Sequence, residues 1–380
     1  MIKVGILAFG NEDIGGAYQY AQSIIDALKE DKNKTYIVFC NKNDGRFDNY
    51  KLEIRKIEKP HNKILEKIIR VFQQLFCIRR PWFFTKKELD IFDDIDTFLS
   101  PNISTYPHFY LNKAFVFTLH DMQERYFPEF FNMKEKAVRW LSRRILARCA
   151  DKIICESTFV KKDIINFIGV DESKISVIQS PPPENFLNFK FEEKRFQIVK
   201  DKYNLNEKFI FYPAQCWFHK NHFKLIEAFK IVSKKFDDVH LILTGSKMNN
   251  YNNIIQRIDE LSLQDRVKHL GYIDYEDLPY FYKMSQFLVM PTLFESVSIP
   301  IYEAFALEVA VCSSNVVALP EQVGDAGLIF NPNDIHDMAT NMIKFLKDDN
   351  LRKEKAKLGF KRVKGFNHEN YRTNLLKVFK

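Results

Sequence analysis

Glycine is scarce in this chain: 12 of 380 residues, against 36 phenylalanines. That excludes a collagen-like repeat and long Gly/Ser linkers. The six cysteines (Cys40, Cys77, Cys149, Cys155, Cys216, Cys312) are scattered, with no Cys-x-x-Cys pair among them. No apolar run approaches the ~20 residues a membrane span needs. Internal repeats and low-complexity segments are absent as well. Met1–Ala8 runs straight into a strand-like segment rather than a secretory leader. A cytoplasmic setting with reduced thiols is therefore expected.

What is present is an ordinary globular balance, 46% hydrophobic and 28% charged. A wholly disordered chain lacks the apolar surface to offset ordering entropy, so that class is excluded. At ~150 residues per domain, the length suggests two domains, or three. The net charge of +8 favours anionic partners: nucleotides, phosphates, nucleic acid or an anionic membrane surface. Charge alone does not choose among them. Nucleic acid is the weakest of these, because Lys and Arg are spread along the chain without the interleaved aromatics of a single-strand platform.

Short Val/Ile/Leu/Phe runs alternate with helix-period stretches throughout. The first half has runs at Ile2–Ala8, Thr35–Cys40, Lys51–Ile57, Ile95–Ser100, Ala114–His120, Lys152–Ser157 and Ile175–Gln179. The second has them at Phe209–Ala214, Val239–Gly245, Val267–Ile273, Phe287–Thr292, Val309–Ser314 and Leu328–Asn331. Continuous apolar strands are those buried on both faces, as in a parallel sheet. Two such series predict an α/β chain of two Rossmann-like, doubly wound domains. Ser180-Pro181-Pro182-Pro183 makes a stiff connector, because proline cannot continue a sheet. The expected division is 1–183, a hinge over 184–202, 203–365, and a C-terminal helix within 366–380 that could pack back on the first domain.

Four segments carry candidate chemistry. In Met290–Phe305 a buried strand gives way to a helix, with Pro300 in its first turn and Ser298 as N-cap. Glu295 then falls on the strand-to-helix loop and Glu303 about one turn into the helix. Open α/β sheets bind ligands at that end, and free helix N–H groups favour a phosphate there. The alternative is a capping Glu and a surface Glu. Phe209–His222 is likewise strand, loop and helix start, where Lys220 can meet an anion as a point charge. His219 and His222 lack a third metal ligand, so a surface or supporting role fits them better. Gly15-Gly16 follow the first strand and allow close approach of a ligand to the backbone. His120-Asp121 ends another predicted strand.

Taken together, these segments resemble the retaining glycosyltransferases of the GT-B fold, most closely glycosyltransferase family 4. The likeness spans nearly the whole chain and is strongest over Phe209–Pro332. It rests on Glu295-x7-Glu303, His219-Lys220-Asn221 and Leu319-Pro-Glu-Gln-Val-Gly-Asp-Ala-Gly-Leu. The resemblance implies a cleft between two Rossmann-like domains, with an N-terminal acceptor domain and a C-terminal donor domain. The donor would be a nucleoside-diphosphate sugar, GDP- or UDP-linked, with no metal and no other cofactor. Glu303 would hold the ribose and Glu295 the donor sugar, and Lys220 would neutralise the departing diphosphate. Gln215 and the backbone around Ser296, Val297, Ser298 and Ile299 would complete the donor site. Gly15 and Gly16 would let the N-terminal domain approach the donor, and His120 would contact the sugar. The acceptor would be a saccharide or lipid-linked saccharide in surface-glycan synthesis.

Three positions depart from the family pattern. Gln215 stands where many relatives carry Arg, Glu308-Val309-Ala310 where Gly-x-Pro is common, and Ser296 and Ser298 where glycines are common. The rival readings are a nucleotide-sugar 2-epimerase of the same fold, a metal-dependent transferase using Asp94-Ile95-Asp96, and a non-catalytic nucleotide binder.

One further segment stands apart. Apolar residues of Lys63–Ile78 fall on one helical stripe, followed by Arg79-Arg80 and Pro81-Trp82-Phe83-Phe84. The stripe either packs on the N-terminal sheet or, over 63–84, meets an anionic membrane surface. The second reading implies peripheral attachment at the cytoplasmic face.

Overall fold

A computed structural model describes residues 1–9, 15–58, 64–205 and 207–379. The chain divides into two units, Met1–Ser180 with His368–Lys380, and Pro181–Asn367.

The first unit carries β1 (Lys3–Leu7), β2 (Thr35–Asn41), β3 (Glu53–Ile57), β4 (Thr97–Ser100), β5 (Ala114–Thr118), β6 (Lys152–Cys155) and β7 (Ile175–Val177). All pair in parallel, in the order β3-β2-β1-β4-β5-β6-β7. The apolar runs form strands because both faces are covered. One face packs on the core that includes Tyr20, Ile24 and Leu28 of helix α1 (Gly15–Leu28), and the other on a core with Phe92, Phe115 and Leu146. The C-terminal helix His368–Leu376 joins the first of these cores through Tyr371 and Leu375.

The second unit carries β8 (Lys208–Pro213), β9 (Val239–Thr244), β10 (Val267–His269), β11 (Leu288–Met290), β12 (Val311–Ser314) and β13 (Gly327–Phe330), again all parallel, in the order β10-β9-β8-β11-β12-β13. In each sheet the strand order reverses beside the first strand, at β1/β4 and at β8/β11. Ligands of open α/β sheets sit at such switch points, outside the carboxyl ends of the strands.

Two stretches differ from the sequence reading. Residues 184–202, expected as a hinge, form helices Glu184–Leu187 and Glu193–Lys202. Phe186 and Val199 are buried in the core of the second unit. Asp277 secures this stretch by accepting from Arg195 at 2.5 Å and from Lys202 at 2.8 Å. The prolines of 181–183 thus mark the boundary itself. The helix Asp349–Val363 has almost no apolar stripe and was not predicted. Gly359 lets it ride close on the helix that carries Glu303: a Cβ there would lie 2.2 Å from the Phe305 ring.

Candidate active site

Two loops of the second unit meet at the carboxyl end of its sheet. The loop after β8 runs through a 3-10 turn, Phe218–Lys220, into Asn221, which takes the left-handed conformation at φ 58° and opens the helix His222–Ser233. Asparagine tolerates that conformation better than most residues. Its side-chain amide donates to the carbonyls of Pro291 at 2.9 Å and Pro332 at 3.0 Å. The Leu293 N–H and the Thr292 hydroxyl both donate to the His219 carbonyl, at 2.7 and 3.0 Å. The Tyr212 hydroxyl donates to the Lys220 carbonyl at 2.8 Å. Gly245, at the end of β9, completes the frame, because a Cβ there would come within 2.6 Å of the Ala214 backbone. The frame holds Lys220 against Glu295: the ammonium donates directly to the carboxylate, and both side chains are less than one-fifth exposed. Gln215, where a second cation was absent, instead accepts from the Trp217 indole at 2.9 Å.

Glu303 lies on the next helix, Ile299–Ala306, and is buried. The Tyr282 hydroxyl donates to its Oε2 at 2.6 Å. Burial pushes the Glu303 carboxyl up to about 7, and the Tyr282 bond opposes that shift only in part. Sequence reasoning missed Tyr282, which lies on the helix Leu278–Met284 with no motif to flag it.

Ser298 occupies the N-cap position, as expected, but makes no capping bond. Pro300 removes one N–H that a cap would bind. Gln322 takes over: its side-chain oxygen accepts from the Ser298 N–H at 2.9 Å and its NH2 donates to the Ser298 carbonyl at 2.7 Å. Of the amides expected to face a ligand, that of Ser298 is therefore already used. The N–H of Ile299 belongs to the first helical turn, which lacks intrahelical acceptors. Ser296 and Val297 are partly exposed on the same loop. Gln322 sits in the Leu319–Leu328 motif, so its position was visible in the sequence and its role was not.

In the first unit, Gly15 and Gly16 open helix α1, and the 10–14 part of their loop lies outside the described residues. His120 follows β5. Its Nδ1 lies 3.1 Å from Glu156 Oε2 and its Nε2 lies 2.9 Å from the Pro101 carbonyl. A carbonyl only accepts, so Nε2 carries a proton. Burial alone would lower the imidazole pKa, but the Glu156 hydrogen bond and charge outweigh it and raise it. Ser180 donates to the other Glu156 oxygen at 2.7 Å. The Tyr20 ring meets the imidazole edge-on, with centroids 4.7 Å apart. Both ring nitrogens of His120, the residue expected to contact a sugar, are thus turned to protein acceptors. Glu156 and Ser180 escaped the sequence reading, since nothing in their spacing ties them to His120.

The remaining candidates have structural partners. Asp94 pairs with Arg55 and Lys3, and Asp96 accepts from the Lys3 N–H at 2.8 Å. His222 is buried against the Tyr212 ring at 4.9 Å, and burial holds it neutral with a pKa of about 3. Among the described residues, no group of three or more His, Cys, Asp or Glu side chains is arranged to hold a metal ion.

Residues 14–181 match the Glycosyltransferase Family 4 sequence profile, and residues 192–362 match that of Glycosyl transferases group 1. The O-antigen chain mannosyltransferase B of Escherichia coli is 28% identical over 72% of this chain and 73% of its own length. The serotype-specific mannosyltransferase WbdA of Escherichia coli is 26% identical over 54% of the chain, which spans only 26% of that larger protein. Among solved structures, Anabaena HepE in complex with UDP-glucose superimposes with a TM-score of 0.78 at 17% identity, covering 99% of both chains.

Proposed function

The chain belongs to the family-4-like glycosyltransferases of the GT-B fold, and from that premise we propose that it is a retaining hexosyltransferase of surface-glycan synthesis. The donor is a GDP- or UDP-linked hexose of the mannose type. The acceptor is a saccharide or a lipid-linked saccharide presented at the cytoplasmic face of a membrane. No metal takes part.

The Lys220–Glu295 pair beside the start of the Ile299–Ala306 helix carries this reading. An ammonium held at a strand-to-helix loop is placed for the oxygens of a departing diphosphate. Phosphate oxygens compete with the carboxylate for Lys220, and Glu295 is then released to accept from a sugar hydroxyl. Charge that grows on the leaving group is met by a cation already in position, usually the largest single catalytic contribution. Glu303, once ionised, accepts from the ribose hydroxyls. The O-antigen chain mannosyltransferase B and serotype-specific mannosyltransferase WbdA relatives support a mannose-type donor and a saccharide acceptor.

The test is nucleotide release from a panel of GDP-mannose, UDP-glucose, UDP-galactose and ADP-glucose, with and without saccharide acceptors and in the presence of chelator. The reading expects acceptor-dependent release from one donor, unaffected by chelator. An epimerised donor formed without acceptor overturns it. Nucleotide binding with no product from any donor does so too.

A further inference from the structure

Helix α2 (Ile64–Leu75) is inside out. A helix on a globular domain turns its apolar stripe to the core. Here Ile64 is 79% exposed, Ile68 61% and Phe72 47%, and Phe76 just beyond the helix is 65% exposed, while Arg70 and Gln73 are buried. Of the two sequence readings of this stripe, packing on the sheet is not what the structure has.

The polar face fastens the helix. The Arg70 guanidinium stands over the rings of Phe84, Tyr106 and Tyr110, at 5.9, 5.7 and 5.0 Å. Gln73 donates to the Arg80 carbonyl at 2.7 Å, and Gln74 to the Tyr110 hydroxyl at 2.7 Å. Arg79 donates to the carbonyls of Phe109 and Lys113, at 3.3 and 2.5 Å. Rolling the stripe inward would break the contacts of Arg70, Gln73 and Gln74. The outward apolar face is therefore fixed by the fold.

We propose that this face is an interfacial docking surface whose occupant is an anionic lipid bilayer. The rim matches that partner. Lys67 and Arg80 are exposed beside the stripe, and Trp82 is 54% exposed at its end. The helix Met133–Cys149, which packs against α2, adds exposed Trp140 with the Arg144 guanidinium 5.1 Å over its ring, and exposed Arg148. Glu66 is the one acidic residue within α2. Twelve residues give a convex ridge roughly 18 Å long, suited to lie in a headgroup layer with Trp at its edge and cations toward the lipid phosphates. A second copy of the chain fits worse, since a two-fold contact through this face would set the same cations against one another. The surface contains none of the residues of the donor site, so the proposal stands or falls separately from the transfer reaction.

Co-sedimentation of the full chain with vesicles of phosphatidylcholine and phosphatidylglycerol, or of phosphatidylcholine alone, tests it. The expected result is binding to the anionic vesicles at low salt, at least about tenfold weaker without phosphatidylglycerol and weakened by high salt. The Ile68→Glu/Phe72→Glu variant should lose about tenfold or more of that binding and keep its circular dichroism spectrum and melting temperature, because both side chains are already exposed. Lys67→Glu/Arg80→Glu should lose the preference for anionic lipid. Wild type recovered in the supernatant at low salt overturns the proposal, as does unchanged binding by the Ile68/Phe72 variant. A dimer in light scattering that the same variant dissociates, without vesicle binding by wild type, assigns the face to a second copy and equally overturns it.

Discussion

Two buried carboxylates, one in each unit, show how partners decide charge. Glu156 is 7% exposed and Glu303 is 3% exposed. Glu156 accepts from Ser180 and faces the His120 imidazole, and that arrangement raises the imidazole pKa, favouring an ion pair. Glu303 has only the neutral Tyr282 hydroxyl, and burial lifts its own pKa to about 7. The same desolvation is answered by a charge in one unit and by a single hydroxyl in the other. The first carboxylate is a fixed part of the frame. The second keeps its desolvation largely unanswered, and under the proposed function the ribose hydroxyls would answer it.

The largest effect should come from Lys220, the cation paired with Glu295 in the second unit. Lys220→Ala is expected to lower turnover by roughly 10²–10³, the scale of removing one leaving-group donor. A rate within about threefold of wild type would remove Lys220 from the diphosphate. Glu295→Ala, which frees Lys220 but takes away the proposed sugar contact, should lower kcat as well as donor affinity.

Glu303→Gln sharpens the contrast directly. The folded pKa of about 7 lies above the ordinary 4.5. Its burial therefore reduces wild-type stability as pH rises from about 4.5 to 7, with no further loss above that. The neutral variant should be free of this slope and gain up to about 3 kcal/mol at pH 8, while losing donor affinity. Urea unfolding at pH 5 and pH 8 reads it, and equal differences at both would show that Glu303 is not the titrating group. Tyr282→Phe should move the pH midpoint of donor binding upward, since it removes the bond that lowers the Glu303 pKa.

Glu156→Gln breaks the other half. The raised His120 pKa gives stability that is present below the ordinary value of 6.5 and is lost as pH rises through the folded value. The variant should thus cost about 1–2 kcal/mol at pH 5.5 and less at pH 9, with a lower imidazole pKa by NMR. A pH-independent cost would make the contact a packing effect only.

The smallest expected effect is at Glu308, which holds φ at 54° after the Glu303 helix. The Val309 N–H donates to the Ala304 carbonyl at 2.8 Å and closes the turn there. A turn that favours glycine is kept here by a strained Glu. Glu308→Gly should stabilise by up to about 1 kcal/mol in thermal unfolding, with donor kinetics unchanged.

Much of this was legible because parallel strands buried on both faces leave continuous apolar runs. Each of the thirteen strands among the described residues overlaps a predicted run, with ends that differ by a residue at Lys208–Pro213 and Gly327–Phe330. The strand-to-helix loops that carry Lys220 and Glu295 were also legible, whereas the adjacency of their strands and the ion pair between the two side chains come from the fold. What escaped was long-range and polar. Tyr282, Gln322, Glu156 and Ser180 act through one or two hydrogen bonds across tens of residues, which leave no periodicity. The orientation of α2 escaped for a related reason. Its stripe and that of the helix Ile335–Lys347 look alike, yet the latter buries Met338, Met342 and Phe345. Only the bonds of Arg70, Gln73 and Gln74 decide which face α2 turns outward.

The central claim, transfer with retention from a nucleotide-sugar held at the Lys220–Glu295–Glu303 site, is tested most directly by the anomeric configuration of the product. Proton NMR of the product formed from an α-linked donor should show an α linkage from the first turnover. A β linkage would contradict the account.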